Sequence, residues 1–127
     1  MSLLPKIGVA TCDPRDLAQC IMNACSDEKI KNERFLLSNE TIWLEEMAKE
    51  LKELLGDAYQ GPTKVSNYLN FRYEAFNDLQ LQQLVPFWGK DISFDCSKAR
   101  NLLGFEPNPL KKSLQALVES FNREHKK

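Results

Sequence analysis

The side chains of this 127-residue chain best suited to nucleophilic or metal chemistry are four cysteines and one histidine, and their spacing suits neither. Cys12, Cys20, Cys25 and Cys96 form no Cys-x-x-Cys pair of the kind that closes a zinc or redox site, and the only histidine, His125, lies in a charged tail. No metal site is expected, and no nucleophile has a histidine base to activate it. Cys20 and Cys25 fall on apolar positions of a predicted helix, where reduced cysteine behaves as a small hydrophobe. The other chemistry-bearing stretch is the aromatic-rich segment from Tyr68 to Trp88 with Arg72 among the rings. Stacking of nucleic-acid bases needs a positive groove beside such rings, and only Lys64, Arg72 and Lys90 lie nearby, so core packing is the expected role. Trp43 and Met47, on a helix of regular period, are likewise core or edge rather than a ligand box.

Composition limits what those residues can belong to. With 43% hydrophobic residues, 28% charged residues and a net charge of -1, the chain reads as one ordinary globular domain over residues 1–127, able to bury roughly 65% or more of its unfolded surface. This charge balance requires no basic face of the kind that recruits nucleic acid. No run of about 18 apolar residues predicts a membrane span, and Met-Ser-Leu-Leu-Pro-Lys lacks the features of a secretory signal, so a cytoplasmic location is expected.

Ile7–Ala10 is a strand candidate. Asp13-Pro14 then predicts a helix start, with Asp13 as cap and Pro14 at the first position, where its missing N–H costs nothing. Leu17, Cys20, Ile21, Ala24 and Cys25 define the expected inner face of a helix ending near Ser26. Residues 33–38, Glu-Arg-Phe-Leu-Leu-Ser, predict a buried strand. Leu44, Met47, Ala48, Leu51, Leu54 and Leu55 mark an amphipathic helix over Thr41–Leu55 with Gly56 as its C-terminal cap. Glu46 keeps the reciprocal half of a capping box, and Thr41 is an alternative cap. After a loop from Gly56 to Ser66, Leu69, Tyr73 and Phe76 share one helical face and Leu81, Leu84, Val85 and Trp88 another. The segment is one helix bent near Asn77-Asp78 or two short ones limited by Pro86.

The most informative stretch is Ile92–Pro109, Ile-Ser-Phe-Asp-Cys-Ser-Lys-Ala-Arg-Asn-Leu-Leu-Gly-Phe-Glu-Pro-Asn-Pro. Ile92 and Phe94 alternate as in a strand, Asp95 and Ser97 are both good caps, and Leu102 and Leu103 give the next helix an apolar stripe. Gly104 can end that helix in the left-handed conformation, with Phe105 folding back onto it. Asn108 and Pro109 repeat the cap-plus-proline device. Leu110, Leu114, Leu117 and Phe121 form the expected stripe of a last helix whose end carries Arg123, Lys126 and Lys127, suited to the negative end of the dipole.

Asp-Cys-Ser-Lys-Ala-Arg-Asn-Leu-Leu-Gly-Phe-Glu-Pro, followed by a final amphipathic helix, resembles the C-terminal signature of the extended short-chain dehydrogenase/reductases. There an Asp, a Ser-Lys-Ala and a Leu-Gly-aromatic-x-Pro recur in this order, and the nearest branch is the dihydroflavonol reductase and cinnamoyl-CoA reductase-like enzymes. Thr11-Cys-Asp-Pro-Arg-Asp-Leu-Ala18 is similar to the family's Val-Asp-Val-Arg-Asp-Val-Ala, with Pro14 in place of an aliphatic. Residues 34–38 with the following helix resemble its Arg-Tyr-x-Leu-Ser and Ser/Thr-Leu-x-Glu-Ile-Ala segments, with Trp43 at the position of the capping hydroxyl.

The resemblance matches only the last third or so of such enzymes. It implies an α/β, mostly helical substrate-binding lobe without the complete Rossmann domain, partnered in the parent by an N-terminal cofactor domain and a small carbonyl substrate. Phe71 and Trp88 are the residues it implies as pocket lining, and Asp13, Asp95 and Gly104 are structural caps. A reductase of this kind needs a glycine-rich turn for NAD or NADP and a Tyr-x-x-x-Lys pair for proton transfer. Here Gly8, Gly56, Gly61, Gly89 and Gly104 are scattered, and none of Tyr59, Tyr68 and Tyr73 has a lysine four residues later. The chain alone is expected to hold no cofactor and no catalytic residue. The alternative is a small helical protein-interaction module or decayed reductase paralogue. A homodimer, through the Arg34–Leu37 edge or exchange of a terminal helix, is expected if a covering domain is missing.

Overall fold

The computed structural model describes residues 3–125, with the side chains of Lys29, Glu124 and His125 left out of the description. The fold is α/β and mostly helical. Its elements in order are β1 (Gly8–Ala10), α1 (Pro14–Ser26), β2 (Thr41–Trp43), α2 (Leu44–Leu55), α3 (Tyr68–Phe76), α4 (Leu79–Leu84), α5 (Ser97–Leu103) and α6 (Leu110–His125). β1 and β2 pair as a two-stranded sheet. The chain divides into two compact units. One comprises the segment up to Val9 together with Ile42–Ile92, the other Ala10–Thr41 with the chain from Ser93 onward. Among the described residues no helix is long and apolar enough to cross a membrane.

In the first unit the backbone around Leu4 lies parallel to Val65, with Leu4 N–H donating to Lys64 O and Ser66 N–H to Leu4 O, both at 2.8 Å. Gly89 N–H donates to Lys6 O and Gly8 N–H to Lys90 O, which tie the segment after α4 to the same strip. The core is Ile7, Ile42, Ala48, Phe71 and Ala75. α2 turns its predicted stripe inward, with Ala48 buried and Leu44, Met47, Leu51, Leu54 and Leu55 half-buried. It starts later than expected, because Thr41 lies in β2 and Trp43 takes the cap position. An indole has only a donor N–H, so Trp43 cannot accept from the first-turn amides. The surviving half of the box is Trp43 N–H donating to Glu46 Oε2 at 3.4 Å. Gly56 ends α2 at φ 56°, its N–H donating to Lys52 O.

The aromatic segment forms two short helices, α3 and α4, parted at Asn77-Asp78. Asp78 caps α4 by accepting from Gln80 N–H at 2.8 Å, and Pro86 follows in a 3-10 turn. The expected inner face of α3 is corrected. Phe71 and Ala75 point inward, and Leu69, Tyr73 and Phe76 point into solvent. The physical reason is that Phe71 and Ala75, four apart, pack the unit's core and leave the row carrying Leu69, Tyr73 and Phe76 on the other side of the helix.

In the second unit Cys20, Ile30, Cys96, Ala99, Leu103 and Phe105 form the core, with Ala24, Phe35 and Leu37 packed against it. Five expectations are corrected here. The strand over 33–38, including Arg34–Leu37, does not form, nor does one at Ile92–Phe94, because neither segment has a neighbouring strand among the described residues. Residues 33–40 are held by other means, with Lys98 Nζ donating to Glu33 Oε2 at 2.6 Å and to Arg34 O at 3.1 Å. On α1, Asp16 and Cys20 are buried while Leu17, Ile21 and Cys25 are exposed. On α6, Leu114 is buried as expected, whereas Val118 is buried in place of Leu117 and Phe121, which are both about half exposed. Finally, Pro109 precedes the first helical residue of α6 rather than filling it, and the Asn108 backbone N–H donates to Asp16 of α1. Arg123 lies in the last turns of α6, whereas Lys126 and Lys127 lie outside the described residues.

Candidate functional site

The two residues that the resemblance marks as pocket lining come together in the first unit. Phe71, the largest fully buried side chain, lies beneath Trp88 with ring centroids 5.0 Å apart, and Tyr68 meets Trp88 at 5.6 Å. Trp88 is half-buried, and Tyr68 is 42% exposed, with the Arg72 guanidinium 5.9 Å over its ring. Phe71 is therefore a support that fixes the tilt of Trp88, and only Trp88 and Tyr68 offer ring surface to a ligand. Such a wall suits a flat, apolar or aromatic molecule and supplies no acid or base.

A separate cavity of about 170 Å³ opens at the start of α2, lined by Trp43, Lys6, Lys49, Glu46 and Val65 among others. It is below the usual size of a small-molecule pocket, and its charges are largely engaged: Lys49 Nζ donates to Glu45 Oε1 at 2.7 Å and Glu46 accepts from Trp43. Phe71 and Trp88 do not line it.

The strongest polar cluster is in the second unit. Asp13 is buried and accepts from Arg15 N–H (2.8 Å), Arg15 Nε (3.0 Å), Arg15 Nη2 (2.6 Å) and the Ser113 hydroxyl (2.6 Å). The Arg15 guanidinium first, and the Ser113 hydroxyl next, hold its carboxyl well below the usual range. Asp16 accepts from the Asn108 backbone N–H at 2.8 Å and from the Asn108 amide, and the Asn108 carbonyl accepts from the Asn39 amide. Asp13 is saturated by protein donors and ties the start of α1 to α6, and Asp16 ties α1 to Asn108 just before α6, so both carboxylates are structural. Sequence reasoning found Asp13 as a cap but missed Ser113 and the Asp16–Asn108 link, because partners about 90–100 residues away leave no local pattern.

Asp95 accepts from Ser97 N–H at 2.8 Å, which lowers its carboxyl below the ordinary value; it does so from one residue ahead of the cap position, which Cys96 holds, and Ser97 is the first helical residue, not a second cap. Gly104 is left-handed at φ 63°, Phe105 N–H donates to Ala99 O, and the Phe105 ring is buried. Cys12 is exposed, yet partial burial of its sulfur and the nearby Asp16 push its thiol up, which disfavours a nucleophilic thiolate. Among the described residues no group of three or more His, Cys, Asp or Glu is placed to hold a metal.

No glycine with positive φ among the described residues stands at the N-terminus of an α-helix, where a dinucleotide phosphate would be held. Of the glycines with positive φ, Gly56 and Gly104 sit at helix C-termini, where carbonyls point outward and a phosphate would be repelled, and Gly89 follows a 3-10 turn. No family model matches the sequence, and neither a curated protein nor a solved structure matches it.

Proposed function

We propose that the chain is the substrate-binding portion of an NAD(P)-dependent reductase of the extended short-chain type, related to the dihydroflavonol reductase and cinnamoyl-CoA reductase-like enzymes and not catalytic alone. The observation that carries the reading is α1, whose first residues belong to the Thr11–Ala18 segment that resembles the family. It buries Asp16 and turns Leu17, Ile21 and Met22 outward at 43%, 53% and 65% exposure. A helix that hides a carboxylate and shows its aliphatic row to water is built for a covering surface, which a cofactor domain would provide. Trp88, propped by Phe71 and flanked by Tyr68, is the wall against which an aromatic carbonyl substrate lies. Hydride and proton transfer belong to the partner domain, and no step is assigned to residues of this chain.

A second reading, a small interaction module, is favoured by the exposed face of α3. Two titrations of this chain test the first. NADPH produces no heat, and a low-micromolar dissociation constant would overturn the reading. A cinnamaldehyde or dihydroflavonol quenches Trp88 fluorescence saturably in a Trp43→Phe background, and no quenching up to millimolar ligand counts against the aromatic wall.

A further inference from the structure

The most exposed apolar surface in the molecule belongs to α3 and the start of α4. Leu69, Tyr73 and Phe76 stand at i, i+4 and i+7 on α3, and Leu79 follows just past the turn. Their exposures are 77%, 77%, 79% and 76%. Single exposed hydrophobics are ordinary, but four large ones three-quarters bare are not. Together they offer roughly 500 Å² of side chain, near the upper end of the largest apolar patches on monomers.

We propose that this face is a homodimer interface in which α3 of one copy lies antiparallel to α3 of a second copy, with the two-fold axis near Tyr73. Three features select a second copy over another partner. Two such faces together bury roughly 1,000 Å², the size at which a specific interface becomes tenable, so the patch suffices when paired with itself. The spacing is self-complementary, because an axis near Tyr73 sets Leu69 of each copy opposite Phe76 of the other, as an isologous contact requires. The four residues are uncharged, the exposed Asn70 and Asn77 on one border carry neutral amides, and the exposed Arg72 on the other border stands over the Tyr68 ring. Aromatic and aliphatic centre with polar amide rim is also the composition of an interface core and rim. Arg72, the nearest basic residue, lies over Tyr68, which leaves the face little to offer a charged partner.

The inference does not rest on the reductase reading, and its test involves no cofactor or substrate. Sedimentation equilibrium of the full chain, in reducing buffer because Cys12 and Cys25 are exposed, gives a mass rising with concentration from 14.6 kDa toward twice that value. Tyr73→Asp, at a position exposed enough to leave folding intact, sets two carboxylates together at the axis and weakens dimerisation at least tenfold. Tyr73→Lys does the same, and mixing the two variants restores a 1:1 dimer. A parent chain that stays monomeric to about 1 mM, a Tyr73→Asp variant that dimerises like the parent, or variants that fail to pair when mixed would each overturn the proposal.

Discussion

Replacing Asp13 with alanine removes one carboxylate that serves both ends of the second unit. Two losses dominate. The N-terminal cap of α1 goes, at about 1 kcal/mol, and so does the Ser113 hydrogen bond to a charged acceptor, at about 2 kcal/mol. The ion pair with Arg15 adds little, because more than half of the arginine side chain is in water. The sum is about 3 kcal/mol, or roughly a 10 °C fall in melting temperature for a chain of this size. The effect is pH-dependent with a definite sign. The folded carboxyl titrates below its unfolded value, so the stabilisation is fully present above the usual carboxylate pKa near 4 and is lost as pH falls from there toward the folded value. Thermal melts of parent and Asp13→Ala followed by circular dichroism at pH 7 and pH 3 read both quantities. The gap is wide at pH 7 and narrower at pH 3. Overlapping melts at pH 7, or a gap of unchanged width at pH 3, would refute the view that the ionised carboxylate joins α1 to α6.

Phe71→Ala empties the centre of the first unit and costs about 3–5 kcal/mol, read by urea titration, whereas half-buried Trp88 tolerates the same change at lower cost; equal losses would contradict Phe71 as the support. Asp95→Ala lowers the melting temperature at pH 7, and the difference shrinks below about pH 4 by the same sign as for Asp13; identical melts would remove Asp95 as a cap. In native buffer a thiol reagent labels Cys12 and Cys25 while Cys20 and Cys96 react only on unfolding, and four fast thiols in mass spectra would contradict the core of the second unit.

Local signals were legible wherever one residue's own chemistry fixes the backbone. Asp13-Pro14, Gly56, the Asn77-Asp78 break and Gly104-Phe105 were all readable because caps, turns and left-handed glycines act over four residues or fewer. Element identity failed where a neighbour was needed. Phe35-Leu36-Leu37 and Ile92-Ser93-Phe94 have the composition of strands, but a strand exists only through a ladder partner, and the described residues supply none. Facing failed for a related reason. A helical period shows that a stripe exists, whereas the surface it meets decides which row goes inward. On α1 the hydrogen bonds from Asn108 and Ser113 draw Asp16 and Asp13 inside and rotate Leu17 and Ile21 out. On α3 Phe71 fills the core and displaces Tyr73 and Phe76. Of the candidate site, the Phe71–Trp88 pair was named from resemblance, and its geometry, one ring buried beneath the other, depended on contacts 17 residues apart that no spacing rule encodes.

The reductase reading is tested most directly by sequencing the full-length transcript through the region 5′ of the codon for Met1. It predicts a continuous reading frame encoding a glycine-rich turn after a first strand and a Tyr-x-x-x-Lys pair ahead of the present first residue. A stop codon in frame immediately upstream, with neither motif in any transcript of the gene, would contradict it.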